Sequence, residues 1–338
     1  MTPINSGDMA RQALLGRQSS LLKTTLTRLT QEMTTGEKSD LAQATAGDFR
    51  ALSAIDHSLS ALGAYKTANA EATLFAETVQ RALETTQTLA TDAAPTLLQA
   101  GTNANPTQIQ AGAQDARQRL FSAVAALNVR AGDRYALSGA ATDQKPLAGG
   151  QELLNGLTAA IAGQVTAAGV ISAVDTWFAA PAGGNGFTDQ IYGGSATPSA
   201  PFRLGDGDGV SLTTTATDPA IRDTLKGLAL AALVAEGALP GDRTGQSLMM
   251  KTAGEQLMTA GSQMSDLRGA VGSVEAHIGL AGTRASAEET ALQIARTKIA
   301  SADPYETATA LEDTKTRLET LYQITARLSG LLLADYLR

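Results

Sequence analysis

Apolar residues at both ends of the chain recur with helical period. Leu15, Leu22 and Leu29 repeat every seven residues, and Leu22, Leu26, Leu29 and Met33 advance by steps of 4, 3 and 4. Those intervals place the side chains on one stripe of a helix with about 3.6 residues per turn. The stripe stops at Gly36, a residue that ends helices readily because it accepts a left-handed backbone. Toward the other end, Leu311, Leu318, Thr325 and Leu332 also repeat by seven, with Leu321, Ile324, Leu328 and Leu331 stepping by 3, 4 and 3 beside them. Asp303 and Pro304 read as the N-cap and first position of that helix, and Glu306 suits its positive end. Two helices at opposite ends of the chain, each with a heptad-like seam, predict a coiled-coil pairing of segments 1–36 and 304–338.

The stretch between them changes character twice. Up to about residue 147 it is rich in Ala, Leu, Thr, Gln and Glu and reads as long helices, with a break at Gly101–Asn105 flanked by Pro95 and Pro106. Residues 148–243 are richer in Gly and Pro and hold Trp177, Phe178, Phe187, Tyr192 and Phe202, five of the chain's 13 aromatics. Short alternating runs in FTDQIYGG, APFRLGDG and GVSLTTTA, separated by Gly, Pro and Asp, predict strands joined by turns. Asp218-Pro219 then opens a helical segment through Leu225, Leu228, Leu230 and Leu233. From residue 244 the pattern is helical again, interrupted only near Ser301–Pro304. The expected fold is therefore mainly α: a long helical bundle or coiled coil from residues 1–147 and 244–338, carrying an inserted, smaller α+β outer domain at 148–243.

Composition narrows the function more than it defines it. A chain of 338 residues builds a core without staples, and this one has no cysteine and only two histidines, His57 and His277. Thiol catalysis, zinc fingers and iron–sulfur ligation are thereby excluded or nearly so. Lys+Arg 26 against Asp+Glu 33 gives a net charge of −7, the wrong sign for neutralising nucleic-acid phosphates. The uncharged run between Glu152 and Asp175 has the length of a membrane span, but Asn155, Gln164 and several Gly, Thr and Ser make its insertion unfavourable. The start, MTPINSGDMARQALLG, lacks a basic stretch followed by an apolar core, so no Sec-type signal peptide is expected.

Candidate chemistry is sparse. Asp206-Gly-Asp-Gly209, aligned to an EF-hand loop, has Ser211 where glycine is required and Thr217 where the bidentate glutamate belongs, and reads better as a hairpin turn. Ser20-Leu-Leu-Lys23 fits an S-x-x-K pattern without its companion motifs, and its Leu22 lies on the apolar stripe. Neither histidine has an H-x-x-x-H partner. No catalytic, cofactor-binding or metal-ligating residue is assigned, and no enzyme activity is expected.

Against that background one string stands out. LNVRAGDRYALSGAATDQKPLA, Leu127 to Ala148, carries Asn128, Tyr135, Ser138, Gly139, Thr142, Asp143 and Pro146 in the order of a motif of the flagellin superfamily, which this sequence resembles, above all in its hook–filament junction members. Leu137 stands where that motif has Phe. The closing segment SADPYETATALEDTKTRLETLYQITARLSGLLLADYLR is similar to the family's last helix, with Asp303, Tyr305, Glu306, Leu328, Ser329, Leu333, Tyr336 and Leu337 in the matching places. The resemblance covers roughly the first 147 and last 95 residues. It implies a structural subunit of the bacterial flagellum, secreted by type III export and joining hook to filament. Its implied partners are copies of itself, an adjacent hook-associated protein and flagellin, and an export chaperone, with no nucleic acid and no membrane insertion. A filament-forming flagellin is the alternative within the family, and a secreted adhesin or hydrolase using the middle domain is the alternative outside it.

A terminal helix with a single apolar stripe is marginal alone. The ends are therefore expected to order only when packed against neighbours, which makes polymerisation and folding one event. The side chains expected to carry that interface are Leu15, Leu22, Leu26, Leu29 and Met33 at one end, and Leu318, Leu321, Tyr322, Leu328, Leu332, Tyr336 and Leu337 at the other.

Overall fold

The computed structural model describes the backbone of residues 6–45 and 47–336, and the side chains of 9–42, 45 and 47–327. In chain order the elements are α1 (Ser6–Thr35), α2 (Leu41–Ala44), α3 (Arg50–Asn103), α4 (Pro106–Leu127), β1 (Arg130–Ala131), β2 (Arg134–Tyr135), α5 (Gly150–Ala160), α6 (Ala167–Ala179), α7 (Phe187–Gln190), β3 (Phe202–Gly205), β4 (Asp208–Val210), α8 (Pro219–Ala235), α9 (Arg243–Ala300) and α10 (Pro304–Tyr336). The fold is mainly α with a small α+β region, as the sequence pattern predicts. The chain divides into two compact units, one from residues 1–62 with 287–338 and one from Gly63–Ser286.

In the Gly63–Ser286 unit, α4 packs along α8, and α5 and α6 add to α8. α8 ends in GLALAALVA and is buried all round from Leu228 to Val234. A helix apolar on every face must be enclosed. Its start is set by Asp218, whose side chain accepts from the Ala220 N–H at 3.1 Å, with Pro219 in the first turn. Asn105 and Pro106 do the same for α4, the Asn105 side chain accepting from the Thr107 N–H at 2.9 Å. Leu83 and Leu97 of α3, Ile109, Leu120 and Leu127 of α4, and Met250, Leu257 and Met264 of α9 complete the central core.

Two expectations change on the structure. The helix break near residue 101 is shorter than the sequence implies: α3 continues through Pro95 and Gly101 to Asn103, and only Ala104, at φ +49°, and Asn105 lie outside helix. Gly101 remains helical because it serves a close approach: a Cβ there would stand 2.7 Å from the backbone nitrogen of Lys251 on α9. The Ser247 hydroxyl of α9 donates to the Gly101 carbonyl across the same contact. The second correction concerns FTDQIYGG, whose first four residues form the helical turn α7 instead of a strand. Its Asp189 accepts from the N–H groups of Gly183 and Asn185 at 2.9 and 2.7 Å, and Phe187 is buried against Trp177 and Phe178. APFRLGDG does form part of the expected antiparallel hairpin, β3–β4, with Phe202 opposite Val210 and Gly207 at φ +69° in the turn, but of GVSLTTTA only Gly209 and Val210 lie in strand.

The other unit contains α1, α2, the first turns of α3, the last turns of α9, and α10. α1 ends where expected, at Gly36 with φ +72°, and α10 begins where expected. The Asp303 side chain accepts from the N–H groups of Tyr305 and Glu306 at 2.8 and 3.1 Å. Between these two points the backbone is clasped. The Lys38 N–H donates to the Ala300 carbonyl at 2.7 Å, and the Ala302 N–H donates to the Gly36 carbonyl at 2.9 Å. An ion pair between Arg296 Nε and Asp56 Oδ1 at 2.9 Å joins α9 to α3 within the same unit.

Candidate assembly interface

The clasp places the C-terminal end of α1 beside the N-terminal end of α10, so the two helices run antiparallel and pack along one another. On α1 the partly buried positions include Leu15, Ser19, Leu22 and Leu26, in line with the buried Leu29 at steps of 4, 3, 4 and 3. On α10 the partly buried Leu311, Leu318 and Leu321 alternate with the buried Thr307 and Thr314 at the same steps. The structure therefore brings Leu15, Leu22, Leu26 and Leu29 onto one line and Leu318 and Leu321 onto another. Met33 and Tyr322 depart from the expected seam, being 49% and 47% exposed. The side chains of Leu328, Leu332, Tyr336 and Leu337 lie outside the described residues.

Three seam positions escape a reading by apolar pattern. Thr307 and Thr314 are buried in register with Leu321, and the Thr314 hydroxyl donates to the Ala310 carbonyl of its own helix at 2.7 Å. With its polar atom satisfied internally, the threonine methyl is free to act as a small apolar contact. Glu32 takes the place expected of Met33. Its Oε1 accepts from Arg28 Nη1 at 2.9 Å and from the Ser39 N–H at 3.0 Å, fastening the turn after α1. The signal for it is the i, i+4 spacing of Arg28 and Glu32 just before Gly36.

The pairing leaves one side open. A groove of about 510 Å³ runs between the helices, lined by Leu15, Gln18, Leu21 and Leu22 of α1 and by Thr316, Arg317, Thr320, Leu321 and Ile324 of α10. Leu21 is 68% exposed and Ile324 48% exposed along it. On the opposite side, Lys23 Nζ stands 5.7 Å from the centroid of the Tyr322 ring, and the ammonium holds the phenol below its ordinary pKa. This is an apolar slot with polar margins, suited to receiving a helix or a side chain and carrying no nucleophile–base pair.

The motif residues 128–146 sit in the other unit and build a folded staple. β1 and β2 pair antiparallel, Arg130 opposite Tyr135, and Tyr135 donates its N–H to the Thr142 carbonyl at 2.8 Å. The carboxamide of Asn128 ties the end of α4 to the backbone of Leu147. Ser138 is buried, its hydroxyl donating to the Gln144 carbonyl at 2.6 Å and its carbonyl accepting from the Ser195 N–H at 2.8 Å. Gly139, at φ +60°, lies so close to the Ser195 and Thr197 carbonyls that a Cβ would collide with both. Pro146 is buried and accepts from the Gly193 N–H at 3.0 Å, while Asp143 is exposed. Leu137, in the place of the usual Phe, is wholly buried. The motif thus specifies a turn-rich knot between α4 and α5.

Remaining candidates resolve structurally. His277 Nε2 lies 2.9 Å from Asp208 Oδ1 at the β3–β4 hairpin, and His57 is exposed. Among the described residues no group of three or more His, Asp or Glu is placed to hold a metal ion, and no helix is long and apolar enough to cross a membrane. The segment between Glu152 and Asp175 forms parts of α5 and α6, with Leu153, Leu154, Leu157, Val170 and Val174 in the core.

Residues 255–337, most of α9 and all of α10, match the family model of the bacterial flagellin C-terminal helical region. That match supports a flagellar structural subunit. No curated protein matches the chain.

Proposed function

We propose that this chain is a structural, non-enzymatic subunit of the bacterial flagellum that joins hook to filament and polymerises through its terminal helices. The observation that carries the reading is the flagellin-type helical match over residues 255–337, coupled with the pairing of α10 to α1 from the far end of the sequence. One apolar side of that pair is uncovered, which is what a subunit designed for neighbours requires. In this reading residues 1–147 and 244–338 supply the helical core, and 148–243 is a smaller inserted domain. Leu15, Leu22, Leu26, Leu29, Leu318 and Leu321 carry the contact, continued by Leu328, Leu332, Tyr336 and Leu337. Partners are further copies, an adjacent hook-associated protein and flagellin, with type III export and its chaperone delivering the subunit.

A filament-forming flagellin is the second reading, favoured by the fact that the matched model describes flagellins at large. The motif from Ser138-Gly139 through Pro146 and the closing Tyr336-Leu337 favour the junction role. Deletion of the protein in its host separates the two. A junction subunit leaves hooks that never elongate, with flagellin released to the medium; a filament subunit leaves hooks capped by intact junctions. Complementation with Leu22→Asp is expected to restore export and not assembly, and normal motility of that variant would refute the assignment of the α1 seam.

A further inference from the structure

We infer that Asn185 is a built-in modification site, where the turn before α7 slowly converts an asparagine into aspartate and isoaspartate with release of ammonia. The chain has two Asn-Gly pairs, Asn155-Gly156 and Asn185-Gly186. Such a pair is open to this reaction because glycine puts no side chain in the path of its own nitrogen toward the asparagine amide. Both asparagines are exposed. In both the side-chain oxygen accepts from a glutamine at 3.1 Å, Gln151 Nε2 for Asn155 and Gln190 Nε2 for Asn185. A donor on that oxygen draws electrons from Cγ and favours attack there at either site. The backbone separates the two.

Gly156 lies within α5, where its N–H belongs to the helical ladder, and Leu153, Leu154 and Leu157 anchor the same helix in the core. Freeing that nitrogen means unwinding a packed helix. Asn185 stands outside helix at φ +56°, a conformation that Asn and Gly tolerate best. Gly186 is required as glycine by a close approach: a Cβ there would collide with the Trp177 carbonyl oxygen and the Ala180 methyl. The turn thus demands the reactive pair at these two positions. Among the described residues the Gly186 N–H has no hydrogen-bond acceptor. The turn is held by the Asp189 side chain, which accepts from the Gly183 and Asn185 N–H groups, and by Gln190 Nε2, which donates to the Asn185 carbonyl at 2.8 Å. Asp189 and Gln190 are exposed, so this loop opens at smaller cost than α5.

In the opened loop the Gly186 nitrogen attacks Asn185 Cγ. The new C–N bond closes a five-membered succinimide, the bond to Nδ2 breaks, and ammonia leaves with the proton of the glycine nitrogen. Water then opens the ring, so that in sum an amide and water become a carboxylate and ammonium with no change of oxidation state. Opening at the side-chain carbonyl gives aspartate; opening at the main-chain carbonyl gives isoaspartate, whose backbone is one atom longer. That extra atom falls between the Asn185 N–H, held by Asp189, and Gly186, held against Trp177. Either product also adds a carboxylate to the loop that Asp189 organises. Phe187 follows directly and packs on Trp177 and Phe178, so the change reaches this aromatic cluster. Being irreversible, it accumulates with the age of each molecule.

The test is timed incubation of the full-length protein at mildly alkaline pH, with peptide mass spectrometry that separates aspartate from isoaspartate. Fluorescence of Trp177, the single tryptophan of the chain, is recorded on the same samples. In the native protein Asn185 should convert at least about tenfold faster than Asn155. In denaturant the two should convert at comparable rates, because the helix no longer withholds the Gly156 nitrogen. Trp177 emission should shift in step with the isoaspartate. Asn185→Gly keeps the left-handed turn and removes the amide, so its emission should stay constant over the same period. Equal conversion of Asn155 and Asn185 in the native protein, or an intact Asn185 after the denatured chain has reacted, would overturn the assignment. An emission drift that persists in Asn185→Gly would overturn the link to the aromatic cluster.

Discussion

The Leu147 N–H donates to Asn128 Oδ1 at 2.9 Å, while Asn128 Nδ2 donates to the Leu147 carbonyl at 3.0 Å. One side chain thus reproduces both bonds of a strand pair and closes the 19-residue excursion between the end of α4 and the start of α5. Beside it, the Ala148 N–H donates to the Ile191 carbonyl at 2.8 Å, so residues 147–148 are held from two directions. Asn128→Ala leaves a half-buried donor and acceptor of Leu147 unpaired. The expected cost is about 1–3 kcal/mol to the Gly63–Ser286 unit, read as a fall in its thermal midpoint. Asn128→Asp should recover only part of that, keeping the acceptor and losing the donor.

How much of this was legible from residues alone follows the range of the interactions. Gly36, Asn105-Pro106, Asp218-Pro219 and Asp303-Pro304 mark helix ends correctly because capping is completed within three or four residues. The all-round apolar α8 is equally legible, since no other placement suits it. Gly101 misleads because its reason lies in Lys251, far along the sequence, where the α9 backbone comes within reach of where a side chain would stand. Phe187 misleads because its alternation resembles a strand, while the bonds from Gly183 and Asn185 to Asp189 settle the segment as a turn of helix. At the terminal seam the leucines announce themselves. Thr307, Thr314 and Glu32 do not, because their polar atoms are satisfied by their own helix or the adjoining turn, and a hydrophobicity pattern registers only the atom type.

The tip of the β3–β4 hairpin gives a pH-dependent contact. Asp208 accepts from His277 at 2.9 Å and from Arg284 Nη1 at 3.3 Å, both on α9. The hydrogen bond with His277 holds the Asp208 carboxyl below the usual carboxylate range; burial opposes it, and the charges of His277 and Arg284 and the Arg284 hydrogen bond add to the lowering. A carboxylate whose native pKa is depressed stabilises the fold fully above the ordinary value near 4, and that contribution disappears as pH falls through the lowered native value. Acidification below about pH 4 should therefore release the hairpin from α9. Hydrogen exchange at Phe202–Val210 would report it as rising opening between pH 5 and 3. Asp208→Asn should flatten that dependence, and an unchanged profile in the variant would assign the transition to another group.

Burial differs sharply between the terminal helix and the interior. Among its described side chains α1 buries only Leu29 and Glu32, whereas α4, a shorter helix, buries Ile109, Gly112, Ala113, Ala116, Leu120, Ala123, Val124 and Leu127. Its remaining seam leucines are half-exposed, and Leu14 and Leu21 face outward. An isolated helix of this length is marginal in water, so the protection of α1 depends on what covers it. In dilute monomer, backbone amides of α1 should exchange at least about a hundredfold faster than those of α4, a difference of roughly 2.7 kcal/mol in opening free energy. In assembled material the gap should close, because neighbouring copies cover Leu21 and the groove beside it. The measurement is hydrogen exchange resolved by peptide on both forms of the same preparation. Equal protection of α1 and α4 in the monomer would mean that the chain ends fold without neighbours, and would sever the link between assembly and ordering.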